Sequence, residues 1–185
     1  MNRRTSLVAN RCRPTQPLLI KLFALTGVVV AVPAGAAACA TGWGSTPEVV
    51  ATMGTGEVDA VRVGREVCWD RAVIDIDGPV GGYRAEYVEQ VTADGSGAVV
   101  PIPGGARLQF VVHHPAQSLG VAVGQPAAAV AGFPTLRSVV YAGSFEGMTT
   151  FGVGTRARLP FRVFALAGPG GHGRIVLDVA HRWTA

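Results

Sequence analysis

The chain is almost free of lysine: Lys21 is the only one, and every basic side chain from Cys39 onward is an arginine. The first 38 residues lack acids and carry Arg3, Arg4, Arg11, Arg13 and Lys21. Without those five, eleven of the chain's 16 basic residues remain against 12 acids. The formal charge of +4 therefore belongs to the leading segment, and the remainder is close to neutral. That balance excludes the basic footprint of a nucleic-acid-binding domain. A bilayer-spanning run is missing too, since the apolar stretch over residues 22–32 has 11 residues and a span needs roughly 20. Cysteine is scarce, at positions 12, 39 and 68. No nucleophile, acid–base pair or metal-ligand spacing announces a reaction, so the reading is of a non-enzymatic protein without cofactor.

What the leading segment does have is an order. A charged head precedes the apolar stretch, Pro33-Ala34-Gly35 breaks it, and Ala36-Ala37-Ala38 leads into Cys39. Charge, grease and small residues in that order predict a secretory signal peptide over residues 1–38. Cys39 then has two competing fates. A cysteine directly after three alanines predicts lipid attachment at Cys39, anchoring the protein on the outer face of the cytoplasmic membrane. Plain secretion instead leaves Cys39 free to pair with Cys68, which an extracytoplasmic compartment permits. Residues 39–56, rich in Gly, Thr and Ser after the cysteine, are expected to be the attachment point and a tether.

From residue 57 the pattern becomes short apolar or alternating runs cut by Gly and Pro. Strands are predicted over residues 58–63, 71–77, 83–91, 98–102, 107–113, 136–142, 149–153, 161–167 and 174–180. Asp77-Gly78-Pro79, Asp94-Gly95-Ser96-Gly97, Pro103-Gly104-Gly105 and Gly168-Pro169-Gly170-Gly171 punctuate them. Many short strands with regular turn signals predict an all-β sandwich of about eight to nine strands over residues 57–185. Only residues 125–131 are expected to hold a helical turn. Alternation puts Ala72, Ile74 and Ile76 on one face of their strand and Arg71, Val73, Asp75 and Asp77 on the other. The last strand divides in the same way, with Arg174, Val176 and Asp178 opposite Ile175, Leu177 and Val179.

An ordered set of short motifs runs through these strands. It comprises Val61-Arg62-Val63-Gly64, Trp69-Asp70-Arg71, Gly82-Tyr83, Phe145-Glu146-Gly147, Gly152-Val153-Gly154 and Phe161-Arg162-Val163-Phe164. A closing stretch from Arg174 to His181 completes it. The set resembles the AMIN-like domain of actinobacterial exported proteins and lipoproteins over about residues 58–181. The resemblance implies a β-sandwich without known catalytic residues. Its relative, the AMIN domain, targets cell-wall amidases and secretin subunits to the envelope and is associated with peptidoglycan. The chain departs from the family at Glu66 and Cys68-Trp69, in an insertion at residues 170–173, and in a short segment over residues 115–134.

Several constellations weigh less than they first promise. Asp75 and Asp77, two apart on one strand face, are spaced for a glycosidase pair, yet they lead into the Gly78-Pro79 turn as a solvated edge would. The four histidines lack ligand spacing, and His113 and His114 are expected on opposite faces. Ser96 sits in a hairpin turn and not in a nucleophile elbow. The candidate ligand-binding residues are Arg71, Tyr83, Glu146, Arg162 and Asp178. In one reading Glu146 lines a groove with Arg71 or Arg162, whose forks suit the carboxylates of stem peptides, while Trp69 or Tyr83 stacks on sugar faces. In the other, Phe145 enters the core, Glu146 caps its turn, and the arginines pair with Asp178 across strands. The expected role is binding to cell-wall glycan or peptidoglycan; the competing one is an interaction module that positions an envelope protein.

Overall fold

The computed structural model describes residues 39–183, so the signal-peptide reading of residues 1–38 lies outside the described residues. All nine expected strand regions contain strand, and three further strands appear. In chain order they are β1 (Glu48–Val50), β2 (Glu57–Arg65), β3 (Trp69–Asp77), β4 (Tyr83–Val88), β5 (Val91–Thr92) and β6 (Val99–Val100). They continue as β7 (Ala106–Val112), β8 (Pro126–Ala128), β9 (Leu136–Phe145), β10 (Met148–Thr155), β11 (Phe161–Ala167) and β12 (Gly173–Ala180). A six-stranded antiparallel sheet, ordered β1-β4-β7-β10-β9-β8, faces a four-stranded one, ordered β11-β12-β3-β2. The expected all-β sandwich is what forms.

Period-two alternation explains the smaller sheet. Ala72, Ile74 and Ile76 of β3, Ile175, Leu177 and Val179 of β12, and Phe161 and Val163 of β11 point into the core. There they meet Leu108, Phe110, Phe151 and Val153 of the larger sheet. Tyr83 and Tyr87 join the layers with polar tips as well, donating their hydroxyls to the carbonyls of Val163 and Leu159, each at 3.0 Å. Asp70, on the inner face of β3, is fully buried. Its carboxylate accepts the N–H groups of Thr135 and Leu136 at 2.6 and 2.9 Å, with His181 at 3.0 Å. A buried carboxylate needs such partners, and here they seat the start of β9 on the other sheet.

Strands β9 and β10 are largely buried on both faces, because a third small layer covers part of their outer side. The β5–β6 hairpin lays Val91, Ala93, Val100 and Ile102 on Val140 and Ala142 as a second buried cluster. Gly152 makes that possible: a Cβ there would collide with the tip of Ile102. The expected strand over residues 83–91 therefore breaks after Val88, its end leaving the sheet to build this lid.

Two expectations are corrected. Residues 125–131 form no helical turn; Pro126–Ala128 is the edge strand β8, a place where a missing proline N–H costs no ladder bond. Among the described residues the one helical turn is Pro169–Gly171. Residues 40–56 are not merely a tether. Glu48–Val50 pairs with β4. The Glu48 carboxylate accepts the Val163 N–H at 2.8 Å, and the Gly44 carbonyl accepts that of Phe161 at 2.8 Å. The segment thus covers the first half of the β11 edge, which would otherwise present unpaired N–H groups.

Candidate functional site

The outer face of the four-stranded sheet gathers the charged residues that alternation placed there. Register sets Asp178 of β12 opposite Arg71 of β3 on one side and Arg162 of β11 on the other. Asp178 has no solvent exposure, whereas both arginines are partly exposed. Arg71 donates Nε and Nη2 to Asp178 at 2.6 and 2.9 Å; Arg162 does so at 3.0 and 2.8 Å. These charge-assisted bonds push the Arg71 guanidinium further above its ordinary pKa, so it is cationic at every accessible pH.

Aromatic rings complete the cluster. The Arg162 guanidinium lies 4.4 Å from the ring centre of Trp43, 5.4 Å from Trp69 and 4.9 Å from Phe164. Arg71 approaches the other part of the row, 5.7 Å from Phe164. Trp43 and Trp69 meet at 5.4 Å with their planes tilted by 58°. Cation–π contact of this kind holds a guanidinium flat and removes little of its charge. The indole N–H of Trp69 is buried with no hydrogen-bond acceptor among the described residues.

Further along the same face, Arg62 forks onto Asp75, with Nη2 at 2.6 Å from Oδ1. Arg174, opposite Asp75 in register, has no ion pair among the described residues. Arg62, Arg71 and Arg174 line a shallow groove of about 220 Å³ with Val73, Val176 and Leu166. Four arginines thus stand on this face with Asp75 and Asp178, while Glu66 also acts on Arg71 and Asp59 lies beside Arg62 and Arg174. Asp75 and Asp178 fix the geometry of the forks, which suits bidentate recognition of a carboxylate or phosphate.

The sequence-level site is only partly assembled. Arg71, Arg162 and Asp178 come together, through the cross-strand pairing expected of them in the alternative reading. Tyr83 does not join them: it is buried between the sheets with its hydroxyl on Val163, so its ring offers no stacking face. Glu146 occupies the turn between β9 and β10 of the other sheet, at φ 50. Phe145 beside it is half exposed and not in the core. Trp43 was missed because it stood in the expected tether, where a solvated linker has no use for a tryptophan; that misfit was the available signal.

Other constellations resolve plainly. Asp75 is held by Arg62, while Asp77 lies 3.2 Å from His172 at the strand end. Ser96 accepts the Ala98 N–H within its turn. No group of three His, Cys, Asp or Glu suited to a metal ion occurs among the described residues. Cys39 is bonded to Cys68, with their Cα atoms 5.1 Å apart. This is the pairing of the two cysteines that plain secretion allows; a thioether at Cys39 would need the same sulfur.

No curated protein matches the chain. The sequence profile of the AMIN-like domain matches residues 56–181, from the strand-opening β2 to the His181 that holds Asp70. On that match, which spans both sheets of the sandwich and its arginine face, the chain belongs to the AMIN-like domain family.

Proposed function

We propose that this protein is an exported cell-envelope domain that binds peptidoglycan through the arginine face of its four-stranded sheet, taking the carboxylates of stem peptides. The family supports the setting, since AMIN-like domains serve binding and targeting in exported envelope proteins. The observation that carries the reading is the pair of guanidiniums held side by side by buried Asp178. Their Nη1 groups make no hydrogen bond among the described residues, and Arg174 stands beside them without an ion pair. Such an array is preorganised, because its forks need no ordering when an anion arrives. It is a binding arrangement and holds no nucleophile or proton shuttle.

Cys39 bears on how the domain is held. With its sulfur in the disulfide, the protein is retained at the envelope by what it binds; with a lipid there, by an acyl anchor. A second reading, docking of an envelope protein, draws on one feature only: the outer half of edge strand β11, where Leu166 is exposed.

Co-sedimentation of the purified protein with protein-free cell walls tests the first reading. It is expected to pellet at low salt and to be released as salt rises, since exposed ion pairs are screened. Arg71→Ala or Arg162→Ala is expected to weaken pelleting about five- to tenfold, as loss of a charge-assisted fork does. Wild-type protein that stays in the supernatant at low salt would overturn wall binding. Unchanged pelleting of both variants would remove this face as the site.

A further inference from the structure

The six-stranded sheet has an outer face that its small lid covers only in part. Ile102 and Val91 close the side over Gly152 and Val140. Beyond the lid's edge at Asp94 the sheet is open, and a groove of about 380 Å³ runs there. Its floor is Thr150, Gln109 and Val111; its walls are Val49 of β1, Asp94 of the lid, and Phe145 and Met148 flanking the β9–β10 turn.

Two kinds of surface meet in this groove. Three exposed apolar side chains, Val49, Phe145 and Met148, line it. Met53 stands next to the same turn, its methyl 3.3 Å from where a Cβ of Gly147 would lie. Hydrogen-bonding groups sit among them. Asp94 accepts the Thr150 hydroxyl on Oδ1 at 3.0 Å, while its Oδ2 is buried with no partner among the described residues. His113 uses Nδ1 on the Thr52 carbonyl at 3.1 Å, which leaves Nε2 for another partner. The one cation of the groove, Arg84, is paired with Glu86 at 2.7 Å, so no surplus positive charge invites an anion.

The turn that carries Phe145 is strained. Glu146 is the one non-glycine at positive φ among the described residues. A two-residue turn of this kind prefers Asn-Gly, and a residue kept in an unfavourable conformation marks a constrained position. Here the constraint fixes Phe145 and Met148 on either side of the turn.

We propose that this groove binds a neutral sugar ring. A pyranose presents C–H faces to an apolar platform, here Phe145 with Met148 and Val49, and hydroxyl or acetamido groups at its rim, here toward Gln109 and His113. The Nε2 of His113 and the Gln109 amide, in an otherwise apolar groove, favour a ligand that can bond them, which disfavours a purely apolar protein surface. The groove lies on the sheet opposite the arginine face and depends on none of the residues invoked there.

Chitotriose, which is uncharged, is the probe. Titrated into the ¹⁵N-labelled protein, it is expected to move the amide signals of Asp94, Gly95, Glu146, Gly147 and Thr150 and to leave those of Gly64, Leu166 and Arg174 in place. Phe145→Ala, at an exposed position, is expected to weaken binding about five- to tenfold, the worth of one aromatic contact. Gln109→Ala is expected to weaken it as well, and Arg71→Ala to leave it unchanged. Absence of any shift at millimolar chitotriose would overturn the proposal. So would shifts confined to the arginine face, a result that would favour the wall-binding face and remove this groove.

Discussion

His114 is fully buried and carries two backbone groups on its ring. Nε2 accepts the Gly81 N–H at 2.7 Å, which requires it to be unprotonated, and Nδ1 then donates to the Gly56 carbonyl at 2.8 Å. The ring lies where any side chain on Gly54 would be, so that glycine is a packing requirement. Burial drives the His114 pKa below its ordinary value, with the neighbouring His113 adding to the shift. The native ring is therefore neutral at a pH where the unfolded one, titrating near about 6.5, has begun to charge. Between those two values the unfolded chain binds the extra proton, and stability falls as pH falls. Above about pH 7 the contribution is complete. The expected outcome is a denaturation midpoint that declines from pH 7 toward pH 5 while the folded-state NMR signals of the His114 ring stay those of neutral imidazole. A ring that charges in the native state near pH 6.5 would contradict this account.

Among the elements, β3 and β12 were legible because core residues alternate with charged ones, so alternation could be read directly; residues 161–167, apolar but for Arg162, read as a central strand, whereas β11 is an edge strand. Alternation was enough to place Arg71 and Asp178 on one face, but not to show that Arg162 would share the same carboxylate, since strand order is not written in it. The elements that went unread lack periodicity of their own. β1 and β8 have three residues each and exist as edges laid on a neighbour. The β5–β6 lid is specified partly by what its partner omits, the side chain at Gly152. Phe145 read as a core residue on hydrophobicity, but the strained turn at Glu146 turns it outward. The lid gives the element scale its test. Gly152→Ala puts a methyl into Ile102 and is expected to cost about 1–3 kcal/mol by overpacking. Ile102→Val or Ile102→Ala in the same chain should relieve part of that cost, so the double variant is less destabilised than the two singles summed. Strict additivity in urea unfolding would mean that lid and sheet do not press on each other there.

At the scale of the whole molecule the disulfide bears on stability and on the fate of Cys39. Cys39 and Cys68 are 29 residues apart and enclose β1, β2 and the stretch that brings Trp43 to Arg162. Closing a loop of that length contributes about 3–4 kcal/mol through the unfolded chain. Reduction is therefore expected to lower stability by about that amount and to loosen Trp43 from the cluster, visible as a change in near-ultraviolet dichroism from its ring. The arginine face consequently depends on oxidation at Cys68, the residue next to Trp69 of the cluster, which suits an oxidising, extracytoplasmic setting. The Cys39 sulfur of that bond cannot also carry a lipid. Intact mass of the protein recovered from its host separates the two fates: a chain beginning near Cys39 and two hydrogens lighter than its reduced form is expected. An adduct with the mass of acyl chains would replace the disulfide with an anchor, and Trp43 would then have to reach Arg162 without that covalent help.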